Sequence, residues 1–351
     1  MPTLKDVAKT AGVSVCTVSR VLNGNHVAGR ISQACVKKVL AAAKRVGYRP
    51  NYHARSLQTG LAQTVGLLVD RGAGEADGYG FWSKMVLGVQ AEAIERGYDC
   101  LVIGKGPRDE SPVQAGLRYV RERRIDCMVV PGYSYLAHSS PELHEEGVPA
   151  VLLMYRRDTP LPVVGNDAAP GIAEAVKHLA GLGHEHLLWL GPEGRADGEG
   201  AYRQKAFEAA AKKVGVTASA ELYAPNENVA EDPISSGAYE AVTSLLSRKR
   251  AFTAIVCYNE RAAFGVYAAA HRAGLSIPGD LSAVGFDDLH AHMAYPPMTV
   301  VSHMLAEIGR RAAAIAIEMA SDAKKRKRYT KHRELLPSKL VVRASSGQAK
   351  A

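Results

Sequence analysis

Residues 4–23 read LKDVAKTAGVSVCTVSRVLN, and this stretch decides the fold of the N-terminal region. Its apolar residues recur at helical spacing, and a single glycine interrupts the periodicity. Thr3 predicts the start of one helix by accepting a backbone N–H, and Ser14 predicts the start of a second that reaches about Leu22. A third helix is expected over residues 32–46. Two short helices joined by a tight turn, with a third as support, form the helix-turn-helix pattern.

Charge is distributed unevenly along the chain. The 351 residues include 44 lysines and arginines and 35 aspartates and glutamates, which gives a net charge of +9. Residues 1–60 hold ten of the basic residues and one acid, Asp6, so the rest of the chain is balanced. This distribution is typical of a nucleic-acid-binding module attached to a neutral region, with a merely solvated basic face as the alternative. The length predicts two or three domains.

The second predicted helix can lie in a DNA major groove with its N-terminal residues against the base edges. Val15 and Cys16 are small enough to contact a thymine methyl group, and Arg20 can reach guanine or a phosphate. Neighbouring polar side chains offer hydrogen bonds to phosphate oxygens. They are Ser14, Thr17, Ser19 and Asn23. A capping serine or a solvated arginine is the ordinary alternative for any one of these residues, so the prediction depends on the whole set.

Two blocks of the sequence resemble the LacI/GalR family of bacterial repressors. The first is residues 4–23, and the second comprises Gly47-Tyr48, Pro50-Asn51, Ala54-Arg55 and Leu57. The resemblance implies a homodimer that places two helix-turn-helix units on a near-palindromic operator in double-stranded DNA. We expect residues 1–48 to form the DNA-binding domain and residues 49–60 to form a hinge helix and linker. Further phosphate contacts are assigned to Thr3, Tyr48 and Asn51.

The same resemblance implies that the hinge helix enters the minor groove. Ala54 and Arg55 would lie there, and Leu57 would wedge into the central base step, where unstacking is offset by the contacts of a bent duplex. An isolated helix of this length is marginal in water. We therefore expect residues 51–57 to be disordered in the free protein and helical on DNA.

Two features depart from the family pattern. The loop of residues 24–30 is longer than usual, and Cys35-Val36 replaces the Thr-Arg pair that helps to hold the phosphate backbone in the family. Arg30 and Lys37 are candidate substitutes for that contact.

From Gln63 onward, apolar strand-like runs alternate with helix-like segments. Residues 65–69 form the first run, residues 81–96 the first helix, and the rhythm continues to residue 285. This alternation predicts parallel sheets with helices on both faces, arranged as two lobes with a cleft at the carboxyl ends of the strands. The predicted fold class is an N-terminal all-α helix-turn-helix domain followed by a two-lobed α/β core.

This core resembles that of the same family, which is similar to a periplasmic sugar-binding protein without its signal peptide. The matching pieces are Gly183-His184, Arg203 before Ala206-Phe207, Val284 to Asp288, Tyr295 to Thr299, and Leu340 to Arg343. The resemblance implies that the chain crosses between lobes near Asn166, His290 and Lys324. It also implies that a late helix, residues 306–320, returns to the first lobe beside a dimer interface.

These crossings set the expected lobe boundaries. The first lobe would comprise residues 61–165 with 291–323, and the second residues 166–290 with 324–343. Residues 344–351 are predicted to be a disordered tail, without the heptads of a tetramer-forming end. The basic run at residues 324–328 is interpreted as a solvated crossover loop, with a nucleic-acid-binding tail as the alternative.

By position, the family's cleft residues correspond here to seven side chains that we predict to bind a small-molecule effector. They are Phe81, Trp82, Arg156, Asp167, Arg203, Asn259 and Asp287. Carboxylates and guanidinium groups can bind hydroxyls in pairs, which favours a sugar or sugar derivative as the effector. The alternatives are a capping role for Asp287 and a core role for the two aromatic residues. Asp232 stands where some relatives carry an aromatic residue, which indicates a more polar ligand.

Other classes of function find less support in the sequence. His184-Glu185-His186 and His290-Ala291-His292 lack a third ligand at metal-binding spacing, and neither a phosphate-binding glycine loop nor a nucleophile elbow is found. Five scattered cysteines and the absence of a signal peptide or long apolar run predict a cytoplasmic protein without membrane contact. We therefore expect a repressor of a carbohydrate-use operon that needs no cofactor, rather than a sugar-modifying enzyme or a transport binding protein. A purine-like corepressor is the alternative effector.

Overall fold

A computed structural model describes most of the chain, and it divides into two compact units, Met1–Gln63 and Thr64–Ala351. The described residues are 2–23, 31–49, 56, 60–69, 80–106, 110–132, 135–194, 198–229, 232–248 and 250–350.

The N-terminal unit contains the three predicted helices: α1 (Leu4–Ala11), α2 (Val15–Leu22) and α3 (Gln33–Arg45). Ser14 and Ser32 cap α2 and α3 by accepting the backbone N–H groups three residues on. Buried valines and alanines from all three helices form one core. The helix-turn-helix prediction is confirmed. Thr3 and Asp6 form a capping box at the start of α1, as predicted: the Thr3 side chain faces the Asp6 backbone N–H, and the Thr3 backbone N–H donates to the Asp6 carboxylate at 2.8 Å.

The second unit alternates strands and helices in two groups. The first group is β1 (Thr64–Leu68), α4 (Phe81–Glu95), β2 (Asp99–Ile103), α5 (Pro112–Arg121), β3 (Cys127–Pro131), α6 (Ser140–Glu145), β4 (Ala150–Leu153) and β5 (Val163–Asp167). The second is α7 (Ala169–Gly181), β6 (His186–Pro192), α8 (Glu199–Val214), β7 (Thr217–Tyr223), α9 (Pro233–Leu246), β8 (Ala254–Cys257), α10 (Glu260–Arg272), β9 (Ser282–Asp287) and β10 (Thr299–Ser302). The remaining elements are α11 (Leu305–Ser321), α12 (Ala323–Arg328), β11 (Arg333–Pro337) and β12 (Lys339–Val341).

These strands form two six-stranded sheets, one in each lobe. The first has the order β11-β5-β4-β3-β1-β2 and is entirely parallel. The second has the order β12-β10-β9-β8-β6-β7, and its strands are parallel except for β12. Central strands such as β3 and β8 are buried along their whole length, as expected where helices cover both faces. The predicted two-lobed α/β architecture is confirmed.

Helix α11 returns to the first lobe, as predicted, and packs against α4. Two glycines allow the close approach. A Cβ atom at Gly88 would lie 2.0 Å from the Ala306 carbonyl oxygen, and one at Gly309 would lie 2.1 Å from the Met85 carbonyl oxygen. Ile308 lies in the same buried cluster as Met85, so the return is stabilised by apolar burial.

Two of the three predicted crossings were wrong. β10 pairs with β9, Thr299 opposite Val284, so the chain leaves the second lobe after Ser302 and not near His290. β11 pairs with β5, Arg333 opposite Val163, so the last crossing lies at Ser338 and not near Lys324. The second lobe therefore includes residues 291–302, and the first lobe includes residues 324–337. The physical reason is that a short apolar strand carries no local sign of which sheet it will join.

The predicted disordered tail is folded over residues 344–350. Ser345 is fully buried; its hydroxyl donates to the Ala283 carbonyl at 2.6 Å, and it accepts the Thr299 backbone N–H at 2.8 Å. A ring nitrogen of His184 lies 3.0 Å from the Gly347 carbonyl oxygen, and the Ala349 backbone N–H donates to Leu182. The prediction failed because these small residues are held by hydrogen bonds, which leave no apolar pattern in the sequence.

The basic run at residues 324–328 lies in α12 rather than in a crossover loop, so that interpretation was wrong. Asp322 caps this short helix, and Arg326 donates to the carbonyl groups of Met319 and Gly147 at 3.0 and 2.8 Å. Among the helices in the described ranges, none has the length and apolar character that a bilayer crossing requires.

Candidate DNA-binding face and effector cleft

Helix α2 exposes one face and buries the other. Val18 and Val21 lie in the core of the N-terminal unit, whereas Val15, Cys16 and Arg20 are exposed to solvent. Because the helix repeats every 3.6 residues, the three side chains predicted to read base edges share the open side. The arrangement suits a helix presented to a major groove.

Several of the hydroxyl groups predicted to bind phosphate also make bonds within their own helices. The Ser14 hydroxyl accepts the Thr17 backbone N–H at 3.1 Å and lies 2.9 Å from the Thr17 hydroxyl. The Asn23 amide donates to the Ser19 hydroxyl at 3.3 Å. Ser14 is therefore a helix cap, which was the structural alternative, and its phosphate contact stays a prediction.

Tyr48 is half-buried against the core of the N-terminal unit. Cys35 is also half-buried, and Val36 is buried. Val36 therefore belongs to the core, at the position where the family pattern has an arginine that contacts phosphate. The remaining DNA-binding predictions lie outside the described residues. They concern Asn51, Ala54, Arg55, Leu57 and the loop of residues 24–30.

In the α/β core, the N-terminal end of α8 supplies three side chains to the cleft between the lobes: Glu199, Tyr202 and Arg203. Arg203 is the most buried of them, with 4% of its side chain exposed. Its Nε donates to Glu199 at 3.0 Å, its Nη1 donates to the Tyr258 carbonyl at 2.5 Å, and its Nη2 lies 3.1 Å from the His303 ring. Each of its three nitrogens has a partner, so the guanidinium group is fixed by residues of its own lobe and by the crossing segment.

Arg156 reaches α8 from the first lobe. It forms an ion pair with Glu199, and its guanidinium group also stacks 3.6 Å above the ring of Tyr202. The Tyr202 hydroxyl donates to Asp167, at the first crossing, with a length of 2.5 Å. Two predicted effector residues of the first lobe, Arg156 and Asp167, are thus joined to the second lobe by contacts within the chain.

Glu199 lies between the two arginines. Burial raises the pKa of its carboxyl group, but the charges of Arg203 and Arg156 and the hydrogen bonds from both outweigh burial and lower the pKa to about 2. Glu199 is therefore ionised throughout the physiological range, and it links an arginine of each lobe.

Asp287 lies at the end of β9 with a φ of 82°, and the next residue, Asp288, also has a positive φ of 61°. Left-handed backbone at two successive non-glycine residues costs energy, and such strain tends to persist at binding sites. The Asp287 carboxylate lies 3.1 Å from His303 Nε2. Burial lowers the pKa of His303 against the opposing effect of Asp287, so the imidazole is neutral near pH 7.

The other predicted effector residues have partly structural roles. Asn259 caps α10, because its side-chain oxygen accepts the Ala262 backbone N–H at 2.8 Å. Phe81 and Trp82 begin α4 with their rings 5.7 Å apart, and Phe81 meets the His303 ring edge-on at 6.5 Å. Asp232 caps α9 and accepts from Arg261. Its suggested link to a polar ligand stays a prediction.

The structure adds cleft residues that the sequence reasoning missed. Asn166 is only 2% exposed, and neither polar atom of its amide has a hydrogen-bond partner among the described residues. The same is true of His303 Nδ1. Asn166, Arg156 and Glu199 line a cavity of ≈ 230 Å³ at the lobe boundary. Glu199 could have been inferred from its spacing of four residues from Arg203 on one helix face.

No metal site is evident within the described ranges, where no group of three or more His, Cys, Asp or Glu side chains converges. The ring nitrogens of His184 instead lie within hydrogen-bonding distance of Thr253 and Ser282, and His186 pairs with Ser219.

Comparison with known proteins places these features in a family. Residues 3–51 match the model of bacterial regulatory proteins of the lacI family, and residues 176–346 match a periplasmic binding protein-like domain. The HTH-type transcriptional regulator GalR of Escherichia coli K12 is 30% identical over 338 residues, which cover 92% of this chain and 90% of GalR. The ribose operon repressor of the same strain is 30% identical over 333 residues, covering 90% of this chain and 92% of the repressor.

Solved structures show the same architecture. The transcriptional regulator CelR in complex with cellobiose superimposes with a TM-score of 0.64 and 25% identity, over 98% of this chain and all of that one. The exposed face of α2 and the two-sheet core are the features expected of such a regulator, and the relatives point to the same family. The chain belongs to the lacI family of bacterial regulatory proteins and is an effector-regulated, DNA-binding transcription regulator.

Proposed function

We propose that this regulator is a cytoplasmic homodimer that represses a carbohydrate-use operon, with a sugar or sugar derivative as its effector. The observation that carries the effector proposal is the convergence of Arg203, Asp287 and the unpartnered polar atoms of Asn166 and His303 at the lobe boundary. Such groups bind hydroxyls in pairs. The cellobiose complex of CelR and the name of the ribose operon repressor support the same class of ligand.

Exposed apolar residues support the dimer. Leu87 and Ile94 on α4 are 60% and 66% exposed, and Val102 on the neighbouring edge strand β2 is 56% exposed. In the second lobe Tyr295 is 95% exposed. Patches of large apolar side chains usually mark an interface. A symmetric dimer would place two DNA-binding units on the half-sites of a near-palindromic operator.

The proposed mechanism couples the cleft to operator affinity. An effector that binds one arrangement of the two lobes more tightly shifts the population toward it, and this shift alters the affinity for DNA by the same coupling free energy. The predicted hinge residues 51–57 would transmit the change.

Band-shift titration against the DNA upstream of the gene tests the proposal. We expect sequence-selective, salt-sensitive binding that changes on addition of a sugar. The panel should include hexoses, pentoses and disaccharides, with hypoxanthine and guanine as the purine arm. A response to a purine alone would show that the effector is a purine and not a sugar. Unselective DNA binding would exclude the operator role.

Arg20→Ala is expected to lose discrimination at one base pair in each half-site, with a cost of about 1–3 kcal/mol on the cognate operator. Arg20 is exposed at the last turn of α2, where a guanidinium group can pair with guanine. Quantitative band shifts on operators substituted one base pair at a time measure the effect. Arg248→Ala, which removes an exposed arginine of the core, should bind all operators normally. Equal weakening on every sequence would show that Arg20 contacts phosphate only.

A further inference from the structure

We propose that Glu199 is the charge-selecting residue of the effector cleft: it fills the anion position between Arg156 and Arg203, so the cleft admits uncharged, hydroxyl-rich effectors and rejects phosphorylated or carboxylated ones. This inference rests on the proposed sugar effector and narrows it to a charge class.

The geometry places one carboxylate against two guanidinium groups. Glu199 Oε1 lies 3.0 Å from Arg203 Nε and 3.2 Å from Arg156 Nη2, and the other carboxylate oxygen contacts Arg156 Nε. A guanidinium group binds a phosphate or carboxylate through this same pair of N–H donors. An anionic ligand would therefore have to displace Glu199 before it could use either arginine.

Displacement is opposed by the rest of the network. Arg156 Nη2 also donates to the Asn166 carbonyl at 3.1 Å, and Arg203 Nη1 is held by the Tyr258 carbonyl. Two further carboxylates belong to the connected set, Asp167 through Tyr202 and Asp287 through His303. Arg333 and Asp158 line the same cavity as Glu199, so three guanidinium groups and four carboxylates lie in the described part of the cleft, and an incoming anion finds no excess positive charge there.

The buried polar groups left for a ligand at the lobe boundary are neutral. They are the Asn166 amide and His303 Nδ1, all buried and without partners among the described residues. An amide offers both donors and acceptors, and the Nδ1 of a neutral imidazole is a donor or an acceptor according to the tautomer. A hydroxyl group can satisfy either case because it both donates and accepts. An ionised carboxylate only accepts, so at this position it would leave the amide oxygen unsatisfied.

Inorganic phosphate is a probe that does not require the natural effector. Thermal unfolding should be followed for the full-length wild-type protein and for Glu199→Gln, in phosphate and in chloride of equal ionic strength. The wild-type protein gives the baseline, which is the Tm change that phosphate causes by its general salting effect and by binding to the basic N-terminal unit. Glu199→Gln keeps the shape of the side chain but frees both guanidinium groups, so phosphate at about ten times its Kd should raise its Tm by about 2–3 °C beyond that baseline.

Three variants provide controls. Glu199→Asp keeps the charge, and Glu193→Gln removes an exposed carboxylate from the same lobe, so neither should exceed the wild-type response to phosphate. Adding Arg156→Gln to Glu199→Gln removes one of the two cations and should abolish the gain, which separates binding at this cleft from binding elsewhere. A phosphate response of Glu199→Gln no larger than that of the wild-type protein, when unfolding of the variant is still cooperative, overturns the proposal.

A second arm uses matched sugars, such as glucose with glucose 6-phosphate and galactose with galacturonate, measured by calorimetry. The uncharged member of a binding pair should bind the wild-type protein at least about tenfold more tightly, and Glu199→Gln should reduce that ratio. A wild-type preference for the anionic member contradicts charge selection but leaves a sugar effector in place. If no sugar of either class binds, the proposed sugar effector itself fails, and the effector class inferred here falls with it.

Discussion

Arg203→Ala is expected to abolish the effector response of the regulator and to lower its free energy of unfolding by about 3–5 kcal/mol. The side chain is almost fully buried, and its three nitrogens contact Glu199, Tyr258 and His303. Removing it leaves the Glu199 carboxylate with a single cation and the Tyr258 carbonyl without a charged donor. It also removes the group that holds Glu199 and the His303 ring at the lobe boundary, where we expect the effector to bind.

Chemical denaturation measures the stability loss, and band shifts with and without sugar measure the response. Operator binding without effector should persist, because the N-terminal unit has its own core. Arg203→Lys keeps a charge but cannot form the forked bonds, so it should recover stability in part and the response hardly at all. Arg272→Ala, at an exposed position of the same lobe, should change neither quantity. An Arg203→Ala protein with a normal sugar response would remove Arg203 from the effector site.

Deletion of residues 344–351 is expected to destabilise the second lobe severely. The buried backbone N–H groups of Ala283 and Thr299 both donate to Ser345, and Ser282 and His184 contact Gly347. Each buried polar group left without a partner costs about 1–3 kcal/mol, so the combined loss should exceed about 3 kcal/mol. Ser345→Ala alone should cost about 1–3 kcal/mol, because it removes only the hydroxyl bonds to Thr299 and Ala283.

Equilibrium unfolding of the wild-type protein, of Ser345→Ala and of the protein lacking residues 344–351 tests whether stability falls in that order. Deletion of residues 350–351 is the matched control; among the described residues it removes the exposed contact of Lys350 with Asp280, and it should change stability by less than about 0.5 kcal/mol. If the protein lacking residues 344–351 unfolds with the same free energy as the wild-type protein, the tail does not stabilise the second lobe.

The sequence by itself determined the features that depend on local periodicity and local hydrogen bonds. The N-terminal helices follow from apolar spacing, and Ser14 and Ser32 cap two of them. The helical repeat places Val18 on the buried face of α2 and Arg20 on the exposed face. The alternation of apolar runs and amphipathic segments was enough to predict two lobes with parallel sheets. Arg156, Asp167, Arg203 and Asp287 were assigned to one cleft by the family resemblance, and for Arg203 and Asp287 the gathering of ligand loops at the carboxyl ends of parallel strands supported the assignment.

Only the tertiary structure decided which distant segments pair. β10 and β11 exchange lobes relative to the predicted boundaries, and residues 344–350 fold onto the second lobe, because strand partners and buried hydrogen bonds are chosen by residues far away in the chain. Glu199 is one of many surface-like glutamates in the sequence. It becomes the link between the lobes because folding brings Arg156, 43 residues earlier in the chain, against it and removes both groups from bulk water, where their attraction would be weak.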